Sequence, residues 1–468
     1  MLSRSVLAAC ALLSMAGILI GCSTAEDDLA REQAKLPAAE QAQLPAPTVD
    51  RWAAFSETEP RMIDAGWLAS FGDPRLSGLV SEALLNNRDL RVTAARQSEA
   101  EARARKAGAN LLPTVDLSAS PQASGGSDLV GIEKEFNLGL QVSWELDLWG
   151  RVSSETEAAS LDAISAAADF EFARQSLAAR IAESWFVITG NKLQVELDEE
   201  ALTIEQRALD VVTARVEAGT VSNVDLRLAR AATARAEEKL TQSRGNLDEA
   251  VRSLEVLLGR YPGAELQVVD KLTAFPGPVP AGLPSELLER RPDIVARDRQ
   301  IAAAFNRSES ARAARLPRVN LTASVTTLFN PASLAWSLAG DLLTPVFDGG
   351  RRQADVDIST AQQEGALADY ASAALIAFQE VETALANEQI LMQREEQLGT
   401  AASELSEAVR IEELRYSTGA IDIIRVNEVK RQFFEARNGL LRVQVERLKQ
   451  RAKLHLALGG SFETSPSS

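Results

Sequence analysis

The stretch "SWELDLWGR", residues 143–151, changes character halfway along. Ser143, Glu145 and Asp147 alternate with Trp144, Leu146 and Leu148, the period-two pattern of a strand with one apolar face. The alternation stops at Gly150 and Arg151. Beyond them runs a chain rich in Ala, Glu, Arg and Leu with no proline until Pro262. Gly150 has no Cβ and permits the sharp backbone change that such a switch needs. The sequence therefore predicts a β ribbon that turns abruptly into a very long helix.

Working backwards, Phe136, Leu138, Leu140, Val142, Trp144 and Leu146 share one strand face, while Asn137, Gly139, Gln141, Ser143 and Glu145 share the other. A run of about ten residues is long enough to cross a bilayer when tilted. Working forwards, Arg151 to Ala218 has only Gly190 to weaken a helix and spans roughly 100 Å at 1.5 Å per residue. Leu177, Ile181, Trp185 and Ile188 recur at helical spacing, as do Leu398, Ala402, Leu405 and Val409, so one stripe is expected to pack on a neighbouring helix.

The switch occurs twice. "LLPTVDLSASPQA" (111–123) is echoed by "RLPRVNLTASVTT" (315–327), with Pro113 and Pro317 at an offset of 204. Gly150-Arg151 matches Gly350-Arg351, Gly219 matches Gly419, and Leu258-Gly259 matches Leu458-Gly459, each at an offset of 200. The chain is thus two tandem repeats, 67–265 and 282–460, joined by a proline-rich linker at 266–281. Each reads as a helical stretch (about 75–109 and 285–314), two strands, a Gly-Arg junction, and two helices around a glycine turn. In the second repeat Leu334, Trp336 and Leu338 lie opposite Ser333, Ala335 and Ser337. A hairpin alone is marginal, and a sheet in lipid must close on itself. Four strands are too few for a barrel, so membrane-crossing strands here imply an oligomer.

Residues 1–21 read as a lipoprotein signal peptide: Arg4 supplies positive charge, Val6 to Ile20 is apolar, and "LIGC" ends on Cys22, whose thiol takes diacylglycerol. By resemblance to Gram-negative lipoproteins, Ser23 after that cysteine directs the chain to the outer membrane. Cleavage removes Arg4 and no acid, taking the net charge from −17 to −18. It also removes Cys10, leaving Cys22 for lipid and excluding an intramolecular disulfide. Residues 22–66 read as a lipid-anchored tether and 461–468 as a disordered tail. The acidic balance argues against nucleic acid as a partner, because phosphate neutralisation needs a basic surface.

Taken together, "FGDPRLSGLVSEALLNNRDL" (71–90), "WELDLWGR" (144–151), "GLPSELLERRPDI" (282–294) and the lipidation motif resemble the TolC-like outer membrane factors, most closely the NodT-type lipoprotein branch. The resemblance runs from Trp67 to Gly460. It implies an α+β membrane protein acting as a homotrimer, in which each chain gives four strands to one twelve-stranded outer-membrane β-barrel continued by a long periplasmic α-helical barrel. It further implies the exit duct of a tripartite efflux system, passively exporting drugs or toxic small molecules. Its partners would be a periplasmic adaptor (membrane fusion) protein, an inner-membrane transporter of the RND type, and outer membrane lipid.

By the same resemblance, the turns at Gly219-Thr220 and Gly419-Ala420 are adaptor-docking tips, although a glycine C-cap alone accounts for such turns. The family commonly carries Asp nine residues after the second glycine, at the periplasmic gate. Glu428 stands there, with Arg425 three before it, where relatives carry an acid; the spacing suits an ion pair between the two. Gly150-Arg151 and Gly350-Arg351 are the barrel-to-helix junctions.

No catalytic, metal or cofactor residues are expected beyond the acyl-diacylglycerol on Cys22. His455 is the sole histidine and lies at a helix end, where charge against the helix dipole is a sufficient account. Two other readings stay open: a protein or metal exporter duct on the same fold, and a non-conducting coiled-coil lipoprotein. The alternating strands speak against the latter.

Overall fold

A computed structural model describes residues 41–42, 52, 66–124, 133–277, 279, 284–328 and 334–462. After a 3-10 turn at Trp67–Phe71, the first repeat runs α1 (Pro74–Asn86), α2 (Arg88–Ala109), β1 (Thr114–Ser124), β2 (Glu133–Leu146), α3 (Arg151–Glu217) and α4 (Asn223–Leu257). The second runs α5 (Pro284–Arg290), α6 (Pro292–Ala313), β3 (Arg318–Leu328), β4 (Leu334–Leu343), α7 (Arg351–Ser417) and α8 (Ile423–Ala457). α3 and α7 each have 67 residues, roughly 100 Å of helix.

The order matches the sequence reading with one correction. Each helical stretch before the strands is two helices, split at Asn87 and at Arg291. Asn87 ends α1 and starts α2: its Oδ1 accepts from Leu90 N at 2.9 Å, and its Nδ2 donates to the Leu257 carbonyl at 2.9 Å. Arg291 holds the matching place in the second repeat, where Pro292 favours a fresh helix start, and it donates to the Ala457 carbonyl at 3.3 Å. Both side chains thus fasten the break to the last turn of the repeat's final helix. Gly259, just past that turn, is required by space as well as by φ of 75°, since a Cβ would lie 2.6 Å from the Asn86 carbonyl oxygen.

The described residues form two compact bodies that cut across the repeats. One holds Arg96–Ala168 and Asp293–Ala374; the other holds the described parts of 47–95, Asp169–Pro292 and the described residues from Leu375 onward. In the first, the strands make one antiparallel sheet in the order β1-β2-β3-β4. In the second, Trp67, Phe71, Leu76, Ile181, Trp185 and Leu254 anchor a continuous apolar core. Trp185 donates to Asp73 Oδ2 at 2.8 Å, and Asp73 also caps α1 through Arg75 N at 2.9 Å.

The predicted stripe Leu177, Ile181, Trp185 and Ile188 is buried throughout, whereas in the second repeat only Ala402 is buried and Leu398, Leu405 and Val409 are half-buried. The linker is no free spacer: Leu266, Val268, Val269, Leu272 and Phe275 pack on the core. Trp52, inside the stretch read as a tether, is buried against Phe378. Ser461 accepts from Gly66 N at 2.8 Å and Phe462 is buried, so the ordered chain extends past the predicted end at Gly460. Cys22 and the signal peptide lie outside the described residues.

Candidate functional site

The sheet register sorts every strand residue onto one of two faces. Pairing places Leu117 opposite Leu140, Leu140 opposite Val325 and Val325 opposite Trp336. One face is therefore a continuous apolar surface, which includes Val115, Leu138, Trp144, Leu321 and Leu338. On it Trp336 and Leu338 are 76% and 73% exposed, too open for a packed core. The other face carries Asp116, Ser118, Gln141, Ser143, Thr322 and Ser324, with hydroxyl contacts such as Thr114 Oγ1 to Ser143 Oγ at 2.7 Å. Apolar and polar faces of this kind suit lipid on one side and water on the other. β1 and β4 each pair on one side only, and no described helix is long and apolar enough to cross a membrane.

At the first junction Gly150 takes a φ of 74°. The Arg151 guanidinium grips Glu145 through two bonds of 2.9 and 2.8 Å, tying helix to strand. Asp147, a residue that alternation alone assigned to the strand, accepts from Val152 N and Ser153 N at 2.9 and 2.8 Å and so caps α3. The second junction differs from the expected match. Gly349 and Gly350 both take positive φ, but Arg351 is exposed. Arg352 instead donates to the Ala314 carbonyl and pairs with Asp348 at 3.4 Å, while Asp348 caps the start of α7. An aspartate two or three residues before the Gly-Arg pair is the signal that was available in both repeats.

The two hairpin turns close in the same way. Gly219 and Gly419 take φ of 71° and 73°, Thr220 N returns to the Arg215 carbonyl, and Ala420 N returns to the Arg415 carbonyl, each at 2.9 Å. A Cβ on either glycine would meet nothing within 4 Å, so backbone conformation alone selects glycine. α4 starts from a capping box of Ser222 and Asp225, and α8 starts from Asp422, which accepts from Ile424 N at 3.3 Å.

Glu428 and Arg425 are not partners. Glu428 accepts from Arg431 at 2.5 Å and Gln432 at 3.1 Å, contacts that hold its carboxyl below the usual range. Arg425 turns towards Glu412, 3.9 Å away. Successive charges at i−3 and i+3 compete for one carboxylate, and in this chain the later one takes it. The tie that sequence reading missed joins the two hairpins: Arg215 NH1 to Asp422 Oδ1 at 3.0 Å, with the guanidinium 6.0 Å from the Tyr416 ring centre. Arg437 to Glu200 at 2.8 Å adds a second crossing.

His455 also departs from its expected role. Its ring is buried, stacks on Trp67 at 5.3 Å and meets Phe71 edge-on. Neither ring nitrogen has a hydrogen-bond partner among the described residues, and burial, with the nearby Arg451 charge, pushes its pKa down to about 3. It is a neutral aromatic element of the core rather than a cation at a helix end.

The outer membrane efflux protein family model matches residues 79–260 and 283–460. The cation efflux system protein CusC of Escherichia coli is 30% identical over 413 residues, covering 86% of this chain and 89% of its own. The antibiotic efflux pump outer membrane protein ArpC of Pseudomonas putida is 32% identical over 470 residues, covering 95% and 94%. The open state of the MtrE outer membrane channel of Neisseria gonorrhoeae superposes with a TM-score of 0.81 at 28% identity, covering 91% of this chain and 98% of that one.

Proposed function

The chain belongs to the outer membrane efflux protein family, and from that membership we propose that it is the passive exit duct of a tripartite efflux system. The observation that carries the reading is the sheet: one face apolar and open, the other polar, with an unpaired edge at each end. Such edges are intolerable in lipid, so the sheet must be completed by copies of itself. Three chains would supply twelve strands, enough to close a barrel whose polar face lines a water-filled lumen. α3, α4, α7 and α8 would then build the periplasmic duct.

In this reading Cys22 carries the lipid anchor. The turns at Gly219-Thr220 and Gly419-Ala420 meet a periplasmic adaptor. An RND-type transporter in the inner membrane supplies the energy, the family being one of channels rather than enzymes. Glu428 places an acid near the second tip, and Arg215–Asp422 holds the two tips together at rest. Substrate does not follow from kinship, since CusC is named for cations and ArpC for antibiotics at similar identity. Selection is assigned to the inner-membrane partner.

Full-length protein reconstituted in planar bilayers is expected to run as a heat-labile oligomer on gels and to give single-channel currents. A monomeric, non-conducting product would overturn the duct. Cys22→Ala is expected to abolish palmitate labelling while leaving the currents intact.

A further inference from the structure

Between α3, α4 and α8 of the second body lies a half-open cavity of about 600 Å³, within the range of sites for drug-sized ligands. The apolar part of its walls comes from Ile204 and Ala208 of α3, Leu228 and Ala232 of α4, and Phe434 of α8. Several charged side chains also reach it, and direct pairing accounts for most of them. Asp198 takes Lys239 at 3.1 Å and Ser243 at 2.6 Å, and Glu428 takes Arg431 at 2.5 Å. Lys430 turns away to Glu413 at 2.5 Å, and Asp225 is engaged by the Ser222 cap.

Glu205 of α3, Arg235 of α4 and Glu435 of α8 are left over, and of the three only Glu205 is not exposed. Glu205 is half-buried and, among the described residues, has no ion pair within 4.0 Å. Burial raises its pKa against the through-space pull of Arg235 and Arg431; both are exposed, and Arg431 is already taken by Glu428. A carboxylate partly stripped of water without a direct partner favours any cation that brings charge to it, provided the rest of that cation tolerates an apolar wall. Small inorganic ions fail the second condition and anions fail the first.

We propose that this cavity is a binding site for an amphiphilic organic cation, its charge on Glu205 and its apolar body against Ile204, Ala208, Leu228, Ala232 and Phe434. The site stands on the cavity alone. Binding is read on purified protein in detergent, so its failure leaves the duct reading untouched and the failure of the duct leaves the site testable.

The probe is rhodamine 6G, titrated by fluorescence anisotropy into the full-length oligomer, with an empty-micelle blank. One saturable site per chain is expected, with no matching uptake of the anionic dye fluorescein. Glu205→Gln is expected to raise Kd at least tenfold, since a unit charge a few ångströms away at a partly buried site contributes well beyond that factor. Ala232→Phe fills the cavity and is expected to weaken binding to a similar degree. Glu237→Gln, on an exposed part of α4 outside the cavity, should bind as wild type. Heat-labile oligomer bands and circular dichroism check that each variant is folded, and Glu205→Gln decides the matter if Ala232→Phe does not assemble. Wild-type affinity in Glu205→Gln, or no saturable uptake above the micelle blank by the native protein, overturns the site.

Discussion

Replacing His455 by Phe should remove a pH dependence that the folded chain carries. The ring is buried between Trp67 and Phe71 with both nitrogens unpartnered, and its pKa is pushed down to about 3. In the unfolded chain an unperturbed His titrates near about 6.5. Between these values the unfolded chain holds one proton that the folded chain refuses, so stability rises with pH through this window. The contribution is complete above the unfolded pKa and drains away as pH falls towards 3. Each pH unit in the window corresponds to about 1.4 kcal/mol per chain, so lowering pH from 6.5 to 5 costs roughly 2 kcal/mol. His455→Phe keeps an aromatic ring against Trp67 and takes two unsatisfied nitrogens out of the core, which favours the variant even at neutral pH. The assay is the midpoint of heat-induced oligomer loss and of helix loss by circular dichroism, for both proteins, at pH 5 and pH 7. Carboxylates titrate alike in the two and cancel in the difference. The variant should lose markedly less stability than wild type on acidification; parallel losses would refute the buried neutral histidine.

Arg215→Ala removes the tie to Asp422. An exposed pair contributes about 0.5 kcal/mol, and three copies together shift the resting balance towards open roughly tenfold, read as more frequent openings in single-channel records. Glu428→Ala is expected to abolish block by divalent cations, whereas Arg425→Ala, whose side chain points to Glu412, should leave block unchanged; unaltered resting conductance and block in Glu428→Ala would remove it from the gate. Asn87→Ala loses both the cap on Leu90 and the bond to Leu257, about 1–2 kcal/mol, seen as a lower heat-dissociation midpoint. Asn87→Asp keeps the acceptor for Leu90 and should recover part of that loss.

Much of the fold was readable because it rests on local chemistry. Strand faces follow from side-chain period, and the pairings Leu117–Leu140 and Val325–Trp336 obey it. The tips were readable from single glycines, since only glycine adopts positive φ without cost. The split at Arg291 had a local signal in Pro292, which the reading of 285–314 as one stretch passed over; that at Asn87 had none, because asparagine within a helical run is a cap only when its side chain finds the next turn. Glu428 shows why charge spacing misleads: bases lie three residues before and three after, and only the later one, Arg431, pairs with it, while Arg425 lies nearer Glu412 across the hairpin. Arg215 and Asp422 are 207 residues apart, beyond any local pattern. His455 was misplaced for the same reason, since its burial depends on Trp67 from the other repeat.

The two repeats share their backbone signals and differ where charge enters. Ser222 and Asp422 occupy matching places before α4 and α8, and serine caps a helix as well as aspartate does. Capping therefore does not account for the carboxylate in the second repeat, whereas the reach to Arg215 does. The same asymmetry recurs higher in α7 and α8. Ile188, Val195, Leu247 and Val251 of the first repeat correspond, at an offset of 200, to Glu388, Glu395, Arg447 and Arg451. In the first repeat these positions serve apolar packing. In the second, Arg447 and Arg451 lie 3.6 and 4.4 Å from the Phe275 ring centre, Arg451 donates to the Pro276 and Gly277 carbonyls, and each guanidinium takes a glutamate of α7. The buried end of the second hairpin is thus clamped to the linker by a shielded ionic cluster, which is costly to break, while its tip is held by an exposed pair, which is not. A helix pair fixed firmly at one end and lightly at the other can part only at the light end. On that ground the second hairpin, rather than the first, is the part of the duct expected to move when the periplasmic tip opens.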